Sequence, residues 1–483
     1  MSKKENEQVV SSNVALPLSK RNKKLVTLGS CLFMFYIAAH GTALAISQSF
    51  ILTKINGMEF FSLSAILIAL GSAIMTPIGG KLGDIIGRRT LMVGSAIIAF
   101  ITTVAIAYSP NTSLYLGFTI LNSLSKGAFT ASPFILMNII NEKKDVPKAM
   151  GLLASSVAAG TFGGALIAGA FNDMKQTELG LVITGAFVVL AALFIFMALP
   201  NTKAQNKVKL DFGGIVLLTI LISSFVLTFN FAPNVGWTNP LILLGFAVII
   251  ISLIVFIRYE KNVEEKKEEP IIAISLFKNQ EYTVLLFIGL IAYFYQAVMV
   301  NYGSLASLKI LGESATITGL LTLPRTAIIL IFPAITGVWV GKKRTNSWKA
   351  MALATGIVVL AFIPLMFISP SMSIAIFFIS FTITGFAESF RAVAVTPAAQ
   401  EILNPSNLST GTALVNFVNT LSSVLASTIC GALYNAAGQD IVRGMRSIFV
   451  LTVAITIVGF LLVIFYIRKY QEKRYKVETS VEV

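Results

Sequence analysis

Gly80-Lys81-Leu82-Gly83-Asp84-Ile85-Ile86-Gly87-Arg88-Arg89 is the stretch on which the reading of the whole chain turns. It joins two runs, 60–79 and 91–109, that contain no charged residue, and each is close to the roughly 20 residues an α-helix needs to cross the hydrocarbon core. Glycines at 80, 83 and 87 permit a tight turn and a close approach of two helix ends. Asp84 suits a helix N-terminus or a basic partner, and Lys81, Arg88 and Arg89 mark one membrane face. A generic loop needs such charges but not the fixed Gly-x-x-x-Asp-x-x-Gly-Arg-Arg spacing.

Working outward, the same alternation runs through all 483 residues. Hydrophobic residues make up 55%, charged residues 12%, and the mean hydropathy is +0.82. Ordinary soluble chains carry about twice that charged fraction, so the excess apolar surface has to face lipid. Apolar windows begin at 25–47 and end at 447–468, and fourteen are expected. The basic residues test that count. Alternate loops hold the N-tail lysines and arginine, Lys81 to Arg89, Lys143 to Lys148, Lys203 to Lys209, Arg258 to Lys278, Lys342 to Lys349 and the C-tail from Arg468, together 29 of 37. The opposite loops hold Lys54, Lys175, Lys309, Arg443 and Arg446. This bias places both termini in the cytoplasm, and an odd number of spans would scramble it. The net charge of +15 is thus membrane topology, and no nucleic-acid partner is expected. Trp237, Trp339 and Trp348 fall near predicted interfaces.

Cys31 and Cys430 lie inside apolar runs and make no disulfide framework or metal spacing; no metal and no cofactor are expected. No cleavage site follows the N-tail, so the first span is read as uncleaved. The charged stretch around Glu264-Glu265-Lys266-Lys267-Glu268-Glu269-Pro270 reads as a solvated connection between two halves. The organisation expected is a tail over 1–24, a six-helix bundle over 25–199, two inserted helices over 200–258, a cytoplasmic linker over 259–281, a second six-helix bundle over 282–468 and a tail over 469–483.

The Gly80–Arg89 segment resembles the signature loop of the major facilitator superfamily. Further segments resemble its fourteen-helix drug/proton antiporter branch: Leu210-Asp211-Phe212-Gly213-Gly214, Gly236-Trp237-Thr238, Leu276-Phe277-Lys278-Asn279, Thr318 to Pro324 and Gly411 to Asn416. The resemblance implies an all-α integral membrane protein, with two six-helix bundles related by pseudo-symmetry plus two inserted helices. It also implies alternating access driven by protons, with Gly80, Gly83, Asp84, Gly87, Arg88 and Arg89 as the gating loop and Gly160, Gly163 and Gly164 as the span-five hinge. The chain departs from the family pattern where His40 replaces a span-one acid and Ser123 a span-four arginine. Lys126 replaces a glutamine, and Ala159-Gly160 a Gly-Pro pair.

Lys126, Arg325, Glu388 and Arg391 fall inside predicted spans, where exposure to lipid would cost on the order of 10–14 kcal/mol for the four. They are therefore expected to face a wet cavity or one another. Helical spacing puts Asn122 and Lys126 on one stripe, Glu388 and Arg391 on a second, and Asn416 and Asn419 on a third. Glu388 is the first candidate for carrying a proton and His40 the second. Tyr36, Asn122, Lys126, Tyr293, Tyr295, Arg325, Arg391, Asn416 and Asn419 are candidates for lining the substrate cavity. Plainer roles stay open: an ion-pair strut for Glu388–Arg391, core packing for His40, interhelical bonding for the asparagines, snorkelling for Lys126, and a carbonyl freed by Pro324 for Arg325.

No phosphate-cradling Gly-x-x-x-x-Gly-Lys-Ser/Thr loop is present, and transport, not an enzymatic reaction, is expected. The leading reading is a proton-coupled exporter of amphipathic small molecules in a bacterial cell membrane, acting as a monomer among membrane lipids. An alternative is a flippase or exporter of an anionic, lipid-like substrate, favoured by three deep cations against one acid. A transport-inactive sensor or scaffold is a third, opposed by the intact Gly80–Arg89 loop.

Overall fold

The computed structural model describes residues 18–200, 211–266, 270–313 and 315–481. Most of the N-tail, the basic loop Lys203–Lys209, the linker residues Lys267–Glu269 and the last two residues of the C-tail lie outside the described residues. In hydrocarbon every backbone N–H and C=O must be paired within its own segment or in a closed barrel, and the described residues are accordingly helical, with no strand among them.

The first half contains α1 (Lys20–Lys54), α2 (Phe61–Ile85), α3 (Arg88–Ala107), α4 (Thr112–Thr130) continued by α5 (Ser132–Ile139), α6 (Val146–Asp173) and α7 (Thr177–Ala198). Two further helices follow, α8 (Phe212–Val235) and α9 (Pro240–Glu265). The second half comprises α10 (Gln280–Ala297), which passes through a π-helical bulge into α11 (Ser304–Lys309), then α12 (Ala315–Lys342), α13 (Asn346–Phe362), α14 (Ile374–Glu401), α15 (Leu408–Ala436) and α16 (Ile441–Leu462). A second π-helical turn carries α16 into α17 (Arg468–Val481), so the chain stays helical through most of the region expected to be a tail. Likewise α9 runs on to Glu265, beyond residue 258, where the two inserted helices are expected to end.

Polar side chains start many of these helices by accepting a bond from an otherwise orphaned amide. Asn111 accepts from Leu114, Asp211 from Gly214 and Asn279 from Tyr282, at 3.0, 2.9 and 3.2 Å. Gly87 separates α2 from α3 with φ +89°, a conformation that a side chain makes costly.

Among the described residues, thirteen helices are long and apolar enough to cross a membrane. The fourteenth crossing is α4–α5, which turns at Ala131 and carries Asn122, Ser123, Ser125 and Lys126. It is less apolar because its polar stripe is buried in protein. In the first half α1 packs on α6 and α7, α2 on α4, and α3 on α4 and α7; in the second, α14 packs on α12 and α13, α10 on α15, and α13 on α16. The pair α8–α9 leans on α2 and α15, one helix from each bundle.

Candidate functional site

Gly385 sits one turn before Glu388 on α14, and a Cβ there would fall 2.9 Å from the Arg325 carbonyl oxygen on α12. This backbone approach sets Arg325 of α12 beside the stretch of α14 that carries Glu388 and Arg391. Arg391 Nε donates to Glu388 Oε2 at 3.0 Å, and Arg391 Nη2 pairs with Oε1. The Tyr295 hydroxyl of α10 donates to the same Oε2 at 3.2 Å, while the Tyr293 ring centre lies 4.4 Å from the Arg391 guanidinium carbon. Arg325 is buried with Nε and Nη2 unbonded. None of Arg325, Glu388 and Arg391 is more than 8% exposed. One cation thus holds the carboxylate, and a second with two unbonded donor atoms is on the neighbouring helix.

The first-half candidates gather separately. Tyr36 and His40 stack on α1 with ring centres 5.4 Å apart, and His40 Nδ1 lies 3.3 Å from the Thr184 hydroxyl of α7. Asn122 Nδ2 donates to the Ala99 carbonyl at 2.9 Å and lies 3.0 and 3.1 Å from the Thr102 and Thr103 hydroxyls, which ties α4 to α3. The Tyr36 hydroxyl, His40 Nε2 and Asn122 Oδ1 are all buried. Lys126 is buried as well.

Other candidates are placed apart from both clusters. Asn416 Nδ2 donates to Thr412 of its own helix at 3.0 Å. Asn419 Oδ1 is unbonded and would lie 3.2 Å from a Cβ at Gly289, at the α10–α15 contact. On α6, a Cβ at Gly160 or Gly164 would fall 2.3 or 2.1 Å from the Phe35 or Ala39 carbonyl oxygen of α1, and one at Gly163 would meet only the Phe35 ring, at 3.2 Å. This glycine face is therefore a close helix–helix seam.

The two halves meet on the side that carries the Asp84 loop. Arg88 bonds Asp84 at 2.5 Å, and the Ser409 hydroxyl of α15 donates to Asp84 at 2.7 Å while also touching Arg88. Gly80 and Gly83 leave the room: their Cβ atoms would meet Ala413 at 2.7 Å and Arg88 at 3.0 Å. Arg89, beside this latch, stacks its guanidinium 4.2 Å from the Phe196 ring centre. Asn138 donates to Gln400 at 3.2 Å, and Gln400 donates to the Phe134 carbonyl at 3.2 Å. Backbone touches backbone at Gly151 with Pro333, Gly337 with Pro147 and Gly341 with Lys144. Sequence reasoning missed Ser409, Asn138, Gln400 and Gly151. The one signal within reach was glycine placed at matching ends of α6 and α12.

A family model described as Major Facilitator Superfamily matches residues 28–427 and 371–482. The chain is 24% identical over 439 residues to the "Multidrug transporter protein MdtP" of Bacillus subtilis, covering 88% of this chain and 79% of the relative. It is 21% identical over 420 residues to "Multidrug resistance protein 3" of the same organism, covering 85% and 79%. Among solved structures, the human organic anion transporter MFSD10 (TETRAN) superposes with a TM-score of 0.63 at 14% identity, over 93% of this chain and 100% of that one.

Proposed function

Because the chain belongs to the major facilitator superfamily, a family of transporters, we propose that it is a proton-coupled secondary exporter of amphipathic small molecules that works by alternating access. The two halves rock about a midplane site, with both termini in the cytoplasm as the loop charges require. In this reading the Asp84–Arg88–Ser409 contact latches the cytoplasmic gate, and the α6–α12 glycine contacts close it.

The observation that supports coupling is the buried Glu388, held by Arg391 and Tyr295 with Arg325 beside it. Paired, the carboxylate stays charged; when substrate or a shift of α12 against α14 draws Arg391 away, burial favours the protonated form. Proton and substrate then exchange at one place. The free donors of Arg325 and the buried Lys126 favour neutral, zwitterionic or anionic amphiphiles over lipophilic cations.

In proteoliposomes carrying a pH gradient, Glu388→Gln is expected to abolish accumulation of substrate against its gradient while leaving substrate exchange intact. A variant that still concentrates substrate would reduce the pair to a structural strut.

A further inference from the structure

On the outer face of the second half, α13 and α16 leave a groove of about 670 Å³, within the range of about 300–1,000 Å³ typical of pockets that hold a small ligand. Its walls are Ala352, Leu353, Ile357 and Leu360 from α13 with Ile457 and Phe460 from α16. Its one charged lining residue is at one end. Lys349 lines the groove in the first turn of α13, and Arg468 follows α16 where α17 begins. Both cations lie over the Trp348 ring, at 5.8 and 5.2 Å from its centre.

The dimensions match one lipid leaflet. From Lys349 to Leu360 on α13, and from Arg468 back to Ile457 on α16, the helices rise about 16 Å, half of the roughly 30 Å hydrocarbon core. The cationic end is on the side of both tails, where a headgroup phosphate would sit, and the apolar end reaches the midplane. An aromatic ring and paired cations at the interface above an apolar channel are the elements that recognise an anionic headgroup with its chain.

We propose that this groove is a specific site for one anionic phospholipid, with an acyl chain along α13 and α16 and the phosphate at Lys349 and Arg468. Glu472 accepts from Arg468 Nε at 3.0 Å, so an incoming phosphate competes with that carboxylate. The site is on the lipid-facing surface, away from Glu388, and stands or falls independently of the transport reading.

Native mass spectrometry of the full chain, titrated with phosphatidylglycerol or with phosphatidylcholine, tests this. The anionic lipid is expected to be retained at lower concentration than the zwitterionic one. Lys349→Ala and Arg468→Ala should each weaken its retention by about five-fold and leave phosphatidylcholine unchanged. Glu472→Gln should strengthen retention of phosphatidylglycerol, because it removes the competing carboxylate. Equal retention of the two lipids by the parent protein would overturn the proposal, as would cation-deleted variants that hold phosphatidylglycerol as the parent does. Should those variants fail to fold, Glu472→Gln decides alone, and no gain of retention rejects the site.

Discussion

Glu388 and Arg391 are three residues apart on α14, so the helix itself places them on one face, and their pairing is legible from spacing alone. The same spacing argument does not reach Arg325. That residue joins them because Gly385 lets α12 approach α14 backbone to backbone, and packing between distant segments has no local signature. Tyr293 and Tyr295 are legible as aromatic walls of a cavity, but their division of labour is not: one lies against the guanidinium and the other bonds the carboxylate. Removing one partner of a buried ion pair leaves the other uncompensated, at about 3–5 kcal/mol. Arg391→Ala and Glu388→Gln should therefore each lower thermal stability in detergent, because each leaves a buried partner of the pair uncompensated. Melting temperatures unchanged from the parent in both variants would contradict a paired, buried carboxylate.

At the scale of elements, the contact between α6 and α1 shows how glycine spacing becomes architecture. Gly160 and Gly164 lie on one face of α6, four residues apart, and each rests on an α1 carbonyl. The sequence resemblance assigns this segment a hinge role; the geometry adds that its glycines hold a seam with little room for side chains. Gly164→Val should cost about 1–3 kcal/mol through overpacking. Gly163→Ala should be tolerated, since its new methyl meets only the edge of the Phe35 ring. Thermal unfolding of the two variants checks this, and a stable Gly164→Val protein would mean that the helices stand further apart. The turn at Ala131 divides the fourth crossing into α4 and α5 just ahead of Pro133, which has no backbone N–H to donate. Hydropathy sums over residues and is blind to a missing backbone donor that adds no charge.

For the whole molecule, closure on the Asp84 side is the state that the contacts describe. In the proposed alternating-access cycle those contacts part, so holding them together should stop turnover. With Cys31 and Cys430 replaced by alanine, a short reducible thiol bridge between Asn138→Cys and Gln400→Cys should block transport until it is cleaved; full turnover in the bridged protein would show that this interface does not open. The sequence by itself determined that the chain crosses the membrane repeatedly, since apolar length and loop charge are additive along the chain and need no partner to be read. It determined the family as well, because the Gly80–Arg89 spacing is local. Only the tertiary structure decided that Ser409 completes the Asp84–Arg88 latch from 321 residues beyond Arg88, and that Arg325 stands beside Glu388. It alone separated the deep polar residues into two clusters, His40 with Lys126 in one half and Glu388 with Arg391 in the other. Helix periodicity gives each residue a face, but which faces meet is settled by close packing between segments far apart in the chain, where a glycine in one helix matters through the backbone of another.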